Sequence, residues 1–169
     1  RNSSNGTGPS SAPASSATDV FQIYGSASKT VRVLKVEMGY LADTLQSSIP
    51  KIYVLKRSTA NSGGTVGETC TAVPCDSNNS AGSAVTKQYT ANQTTGTLVG
   101  RVAANCYNPP VSSSNGVVTN GSTLLYEARS LGLAVTLRGT GEGLVVNFNG
   151  VTPGGGTPLL SFTVTYTEQ

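Results

Sequence analysis

The sequence has no histidine and no tryptophan, and only 11% of its 169 residues are charged. Histidine is the commonest general base and the usual partner of a nucleophilic serine or cysteine, so the standard Ser–His and Cys–His arrangements are excluded. Without histidine, the candidates for acid–base chemistry are the eight carboxylates, none of which lies in a recognisable motif: Asp19, Asp43, Asp76, Glu37, Glu68, Glu127, Glu142 and Glu168. A glycosidase needs only two such groups, but most of these fall at predicted strand ends or in turns. We therefore predict solvated surface charge, no catalytic residue and no enzymatic activity.

Long apolar runs are missing as well. No stretch approaches the roughly 20 apolar residues of a membrane helix, and no apolar segment follows the opening Arg-Asn-Ser-Ser as a cleavable signal peptide requires. The net charge of +3 is small and scattered. Its nearest basic cluster, Lys51, Lys56 and Arg57, lies on a predicted strand and indicates a solvated face. Because basic stripes and stacking aromatic residues are not combined anywhere, we predict neither a nucleic-acid partner nor a membrane partner.

Cysteines are few, and they do not form a metal-binding pattern. Cys70, Cys75 and Cys106 cannot all pair within the chain, and without histidine or C-x-x-C spacing they make a poor zinc site. A Cys70–Cys75 disulfide is left open, although disulfide-stapled domains usually carry an even and larger number of cysteines. Residues 76–80 offer oxygen ligands but lack the acidic spacing of a calcium loop. The sequence therefore predicts no metal and no cofactor.

The clearest positive pattern lies in residues 131–167. Within 131–138, 144–149 and 160–167, apolar side chains alternate with small or polar ones. Alternation at period two is typical of strands with one buried and one wetter face. Because short turns rich in Gly, Asn and Pro separate the runs, we predict an antiparallel meander of three strands. The glycine-rich turn at 139–143 lacks the lysine and the helix N-terminus of a phosphate loop, so we interpret it as a hairpin turn.

Further strands are predicted at residues 19–24, 30–38, 49–57, 84–90, 97–103 and 123–129. Within 30–38 the alternation changes phase, which indicates a β-bulge or a strand that passes between sheets. Residues 39–48 are predicted as a loop or short helical turn, and two long polar stretches occupy 58–83 and 105–122. These features predict an all-β fold, an antiparallel β-sandwich of eight or nine strands with jelly-roll-like topology.

Residues 1–17 differ in composition from the rest of the chain, because they hold no large apolar side chain. Such a segment cannot bury enough surface to offset its ordering entropy. We predict a flexible, extended N-terminal arm over 1–17 and a single β-sandwich domain over 18–169. The arm is either a frayed terminus or a segment that orders only on a neighbouring subunit, and the sequence does not choose between the two.

Several stretches together resemble a group of small virion structural proteins of tailed bacteriophages. They are GSASKTVRV (25–33), LKRSTANSGGT (55–65), VPCDSNN (73–79), QYTANQTTGTLVG (88–100), LRGT (137–140) and VNFNG (146–150). The resemblance extends from about residue 18 to the end. It implies a structural part of the particle, such as a capsid decoration or cement protein or a tail component, and it carries over no catalytic motif.

The leading hypothesis is therefore a non-enzymatic capsid decoration or cement protein located in the virion and assembled in the host cytoplasm. We expect a homo-oligomer, with a trimer favoured, that binds the major capsid protein or other virion proteins through 1–17, 58–83 and 105–122. The alternative is a carbohydrate-binding or adhesin module of a tail or fibre, with Tyr40 and Tyr107 as sugar-stacking candidates. A third hypothesis, a carboxylate-dependent hydrolase, requires two acids that meet in one cleft.

Overall fold

A computed structural model describes residues 2–8, 18–42, 51–106, 119–150 and 159–169 of the chain. Twelve strands lie within these ranges: β1 (Asn2–Gly8), β2 (Asp19–Tyr24), β3 (Val31–Ala42), β4 (Lys51–Arg57), β5 (Val66–Cys70), β6 (Val73–Pro74), β7 (Thr86–Tyr89), β8 (Leu98–Cys106), β9 (Thr119–Glu127), β10 (Val135–Leu137), β11 (Gly143–Asn147) and β12 (Leu159–Glu168). A single 3-10 turn, Leu131–Leu133, is the one helical element in the described ranges. The predicted all-β class is confirmed.

The strands form two antiparallel sheets. Sheet A has the order β10-β3-β12-β1-β6. β9 is its sixth strand: β10 and β9 pair with successive parts of one edge of the long strand β3. Sheet B has the order β5-β7-β2-β11-β4-β8. Both sheets are antiparallel throughout, and this arrangement is consistent with the predicted β-sandwich.

The core lies between the two sheets and is built from the apolar side chains of alternating positions. Sheet A contributes side chains such as Met38, Phe162 and Val164, which have no exposed surface. Phe21 of sheet B stacks on Phe162 with ring centroids 4.8 Å apart, which joins the sheets directly. Full burial of a side chain of this size contributes about 1.5–3 kcal/mol.

The phase change predicted within residues 30–38 corresponds to a β-bulge. Opposite β12, Val33 pairs with Tyr166 and Lys35 pairs with Thr165, so Leu34 is the extra residue. The bulge allows Val31 and Val33 on one side of it, and Val36 and Met38 on the other, to face the same core.

The predicted terminal meander is wrong. Strand β10 pairs with β3 in sheet A, β11 pairs with β2 and β4 in sheet B, and β12 returns to sheet A. Residues 138–142 therefore cross between the sheets and do not close a hairpin, and Leu131–Leu133 is a 3-10 turn and not a strand. Alternation reveals that a strand has two faces, but it carries no information about which strand lies beside it.

The polar stretches contain more strand than the sequence indicates. The stretch 58–83 includes β5 in sheet B and β6 in sheet A, and part of 105–122 belongs to β8 and β9. Strand β3 continues to Ala42, into the predicted loop 39–48. Residues 43–50 and 107–118 lie outside the described ranges. No apolar alternation marks these segments in the sequence: β5 (VGETC) and the start of β9 (TNGST) carry few large apolar side chains, and β6 is only two residues long.

The first part of the predicted N-terminal arm lies in sheet A. Asn2–Gly8 pairs along β12 from Asn2 opposite Tyr166 to Gly8 opposite Leu160. At the other edge of β1, Asn2 and Ser3 pair with Pro74 and Val73 of β6. Residues 1 and 9–17 are outside the described ranges, so the predicted arm stays a prediction there.

Candidate functional site

The most concentrated polar cluster centres on Asp19, at the start of the central strand β2. Asp19 has no exposed surface, and Arg57 of β4 is only 6% exposed. The Arg57 guanidinium donates to the Asp19 carboxylate through Nε at 2.5 Å and Nη2 at 2.8 Å. The expectation that Asp19 and Arg57 are solvated surface charges is therefore wrong. A buried charge is stable only when it is paired and hydrogen-bonded, and both conditions are met here.

Two asparagines complete the coordination of the Asp19 carboxylate. Asn147 of β11 donates Nδ2 to Oδ1 at 2.8 Å, and Asn61 donates Nδ2 to Oδ2 at 2.7 Å. With Arg57, each carboxylate oxygen accepts two hydrogen bonds, and a carboxylate offers about four acceptor positions. The carboxylate has no acceptor position left for a substrate proton, so this geometry makes Asp19 a structural anchor.

Asn61 links two loops to sheet B. Its amide group also donates to Gln22 at 2.8 Å, its backbone N–H donates to the Tyr24 hydroxyl at 3.1 Å, and its Oδ1 accepts from the Gly96 N–H at 2.7 Å. Gly96 in turn accepts a bond from Arg57 through its carbonyl oxygen at 2.8 Å. Residues 58–65 and 90–97, joined by the Ser62–Thr94 bridge, are thereby fixed on the outer face of sheet B.

Two tyrosines extend this cluster. Gln22 donates its amide to the Tyr89 hydroxyl, and Tyr89 is also hydrogen-bonded to Tyr24. Burial raises the pKa of the Tyr24 hydroxyl far above its usual range, and the bond to Tyr89 raises it further. Burial likewise raises the pKa of Tyr89, although its hydrogen bonds partly oppose that rise. Both phenols are therefore neutral at physiological pH.

A second clamp fixes the C-terminal strand β12. The Glu168 side chain is 3% exposed; it accepts bonds from the Ala84 N–H at 2.7 Å and the Ser83 hydroxyl at 3.1 Å, and the Lys29 ammonium lies 3.5 Å away. Burial by itself would raise the pKa of this carboxyl. The hydrogen bonds from Ser83 and Ala84 outweigh burial, with help from Lys29, and lower the pKa below its ordinary value.

The other described carboxylates have separate surroundings. Glu37 pairs with Lys35 at 2.8 Å, and Glu142 pairs with Lys56 at 3.4 Å. The Asp76 carboxylate accepts bonds from Asn78 and Asn79 and so organises its own turn. Among the described side chains, no hydrogen bond or ion pair joins two carboxylates. Asp43 lies outside the described ranges.

Metal-ligand clusters are absent from the part of the chain that the structure describes, where no group of three or more His, Cys, Asp or Glu side chains converges. The cysteines are free: Cys70 is buried, and Cys75 and Cys106 are exposed. The sequence left open whether Cys70 and Cys75 form a disulfide; in the structure they do not.

The described tyrosines do not form an open stacking platform. Tyr24, Tyr89 and Tyr166 are buried, and the ring of Tyr53 is covered by the Arg101 guanidinium 3.9 Å from its centroid. The Tyr126 hydroxyl accepts a bond from the Val135 N–H at 3.1 Å. Side chains of the predicted sugar-stacking residues Tyr40 and Tyr107 lie outside the described residues.

The described residues form two grooves that are open to solvent. The smaller, of about 210 Å³, lies beside the Asp19 cluster and includes Tyr24, Asn61 and Lys87. The larger, of about 370 Å³, lies at the bulge of sheet A and is lined by Lys35, Glu127, Arg129, Ser130, Thr165 and other residues. Only the larger reaches the 300–1,000 Å³ that is typical of ligand pockets.

The chain matches no family model, no curated protein and no solved structure. No described helix is long and apolar enough to span a bilayer. Arguments about function therefore rest on the residues and their geometry.

The sequence did not reveal the Asp19 cluster. Its members come from β2, β4, β11 and two loops, and the bond between Asp19 and Asn147 spans 128 positions of the chain. One signal was available: Gln22 interrupts the apolar strand β2, and Asp19 and Arg57 stand at the ends of strands whose middle residues are mostly apolar. Polar residues within such strands are buried only when they find partners.

Proposed function

We propose that the protein is a non-enzymatic structural component of the virion of a tailed bacteriophage, which decorates or cements the capsid. The observation that supports this most is β1, an N-terminal strand without large apolar side chains that joins sheet A through main-chain pairing. Strand addition of this kind is a common way to bind a neighbouring protein, because main-chain bonds supply affinity with little demand on sequence.

The rest of the molecule agrees with this role. The carboxylate of Asp19 is fully coordinated, and the Asp19 and Glu168 clusters act as clamps that fix loops and strand ends to the sheets. A rigid two-sheet body, with jelly-roll-like topology in this proposal, would carry its contacts on the N-terminal segment and on 58–83 and 105–122. The partners are the major capsid protein or other virion proteins, and the protein itself forms a homo-oligomer, with a trimer favoured.

The decisive measurement is the copy number of the protein in purified particles, by quantitative mass spectrometry against the major capsid protein. We expect a simple ratio to the capsid subunits. A handful of copies would indicate the tail or fibre instead, and complete absence would contradict a virion role.

A second experiment tests the N-terminal segment. Deletion of residues 1–17 is expected to leave a folded domain that binds particles poorly, whereas undiminished binding would eliminate the segment as a contact. Circular dichroism of the deleted protein serves as the control for folding.

The groove at the bulge of sheet A favours one alternative, a carbohydrate-binding or adhesin module. Its hydroxyl and charged lining could hydrogen-bond a sugar, and Thr167 at its edge has a buried Oγ1 without a partner among the described residues. A glycan array tests this alternative, with Tyr40→Ala and Tyr107→Ala as further variants. An array without binding would count against it.

A further inference from the structure

Strand β1 occupies a slot that is defined almost entirely by main-chain geometry. Seven consecutive residues pair with β12, and two pair with β6 on the opposite edge. The sequence of β1, NSSNGTG, contains no side chain larger than asparagine. The slot therefore selects an extended strand and depends little on which copy of the chain supplies it.

β1 covers one edge of β12, which is a core strand. Phe162, Val164 and Tyr166 of β12 have no exposed surface and pack in the main hydrophobic cluster. Without β1, the N–H and C=O groups along that edge of β12 would lose their partners, which makes the edge a template for another strand.

The connection from β1 to β2 is longer than its own fold requires. Gly8 lies opposite Leu160, and the Leu160 carbonyl accepts a bond from Gln88, which pairs with Phe21 of β2. The end of β1 and the start of β2 thus lie at the same end of the two sheets, which pack about 10 Å apart. The nine residues 9–17 can span up to about 30 Å when extended, roughly three times the spacing of the two sheets.

We propose that Asn2–Gly8 is an exchangeable strand, which pairs with its own β12 in the isolated chain and with β12 of a second copy when copies are concentrated or held side by side. The contacts are identical in the two states, so the balance depends on local concentration. Because residues 9–17 tether Asn2–Gly8 to its own slot, the effective concentration of a chain's own strand is on the order of millimolar. Neighbours in a dense array compete on equal terms at that concentration.

This inference goes beyond the proposed function, because the second copy and not the capsid is the partner. It also explains how a decorating layer could become continuous: each copy would be linked to the next by one strand. Its outcome is independent of the copy number in particles, so the failure of one proposal leaves the other intact.

The test is disulfide trapping between directly opposite positions, Ser3 and Thr165. One protein carries Ser3→Cys and the other, labelled with ¹⁵N, carries Thr165→Cys, both with Cys70→Ala, Cys75→Ser and Cys106→Ser. The two proteins are mixed in the presence of oxidised glutathione, each protein at about 1 mM, which is near the effective concentration of the tethered strand. A second mixture contains both proteins at a hundredfold lower concentration. We expect a 3–165 link between labelled and unlabelled chains in a large fraction of the protein at the higher concentration, falling at least tenfold on dilution.

Two controls make the result decisive. The double variant Ser3→Cys/Thr165→Cys should close its disulfide within one chain in dilute solution. If the double variant closes and the mixture never links, exchange is refuted; if the double variant does not close, β1 does not pair with β12 and the proposal also fails. The second control is a mixture in which Thr7→Cys replaces Ser3→Cys. Thr7 pairs with Ser161, which lies about 13 Å along the strand from Thr165, so a Cys at position 7 should not reach position 165. Equal linking of that pair would reveal random collision and overturn the inference.

Discussion

Tyr166 is a fully buried tyrosine whose hydroxyl has no hydrogen-bond partner among the described residues. A buried polar group without a partner costs about 1–3 kcal/mol, so its removal should not harm the fold. We expect Tyr166→Phe to leave the free energy of unfolding unchanged or to increase it by up to that amount, measured by urea denaturation.

Tyr89→Phe is the matched comparison, because its hydroxyl accepts the bond from Gln22. Removal of the Tyr89 hydroxyl should lower the free energy of unfolding by about 1–2 kcal/mol, because the buried Gln22 amide is left without its acceptor. An equal loss in Tyr166→Phe would show that the Tyr166 hydroxyl is hydrogen-bonded after all.

The Asp19–Arg57 pair should be strongly coupled. Asp19→Asn keeps the shape of the side chain but leaves the Arg57 guanidinium buried without a counter-charge, which typically costs about 3–5 kcal/mol. We expect the double variant Asp19→Asn/Arg57→Met to be much less destabilised than the sum of the single variants, as measured in a double-mutant cycle. Additive single effects would argue against the coupling. Lys35→Met in the partly exposed Lys35–Glu37 pair should have little effect, because a solvent-accessible ion pair contributes little.

For individual residues, the sequence predicted the apolar core better than the polar cluster around Asp19. Phe162 belongs to the predicted alternating run 160–167, Phe21 and Ile23 alternate within the predicted strand 19–24, and all three are buried. Asp19 was assigned to the surface because charged residues at strand ends usually contact water. Its true surroundings depend on pairs such as Asp19–Asn147, which the order of residues along the chain does not specify.

Among the loops, 90–97 depends on a close approach at Gly96. A Cβ added there would lie 1.9 Å from the main-chain oxygen of Thr59, so no side chain fits without moving the backbone. Gly96→Ala should displace the loop, weaken the bonds to Asn61 and Arg57, and lower the unfolding free energy by about 1–3 kcal/mol.

Gly100 in β8 provides the control. A Cβ there would have no heavy atom within 4 Å, so Gly100→Ala should be neutral or slightly stabilising. The melting temperatures of the two variants compare them directly. Equal temperatures would contradict the close approach at Gly96.

The Glu168 clamp predicts how the attachment of β12 responds to acid. Because the folded-state pKa of Glu168 is lowered, its contribution is complete above the unfolded-state pKa near 4.5 and is lost as the pH falls through the folded-state value. We expect Glu168→Gln to be less stable than the parent at pH 7, with the difference shrinking below pH 4.5.

Glu127→Gln, at an exposed position of β9, serves as the control and should follow the parent curve. Urea denaturation across the acid range measures all three proteins. A difference between parent and Glu168→Gln that persists at low pH would show that the clamp acts through shape and not through charge.

Elements were predictable where the alternation was apolar, as in β2, β4 and β12. They were not predictable where apolar alternation is absent, as in β5, or where the strand has only two residues, as in β6, since such strands depend on the neighbours they meet. The bulge at Leu34 was the exception among irregular features, because a phase change is visible in the sequence itself.

For the molecule as a whole, sheet membership was the least predictable property. β10, β11 and β12 follow one another in the chain but alternate between the sheets.

One edge of sheet B is β8, where Leu98 and Val99 are 55% and 59% exposed. Two register shifts against β4 interrupt this edge, and such bulges limit edge-to-edge association between molecules.

The buried phenols give the whole molecule an alkaline limit of stability and an optical indicator of it. Burial raises the pKa of Tyr24, Tyr89 and Tyr166, so the folded state keeps these protons after the unfolded chain, with a pKa near 10, has released them. Stability is therefore complete below about pH 10 and declines as the pH rises further. Because the chain has no tryptophan, phenolate absorbance in the near ultraviolet is unobscured. We expect the signal of these three residues to appear together with the loss of circular dichroism, in one cooperative step. Full ionisation of all tyrosines while the sheets persist would contradict their burial.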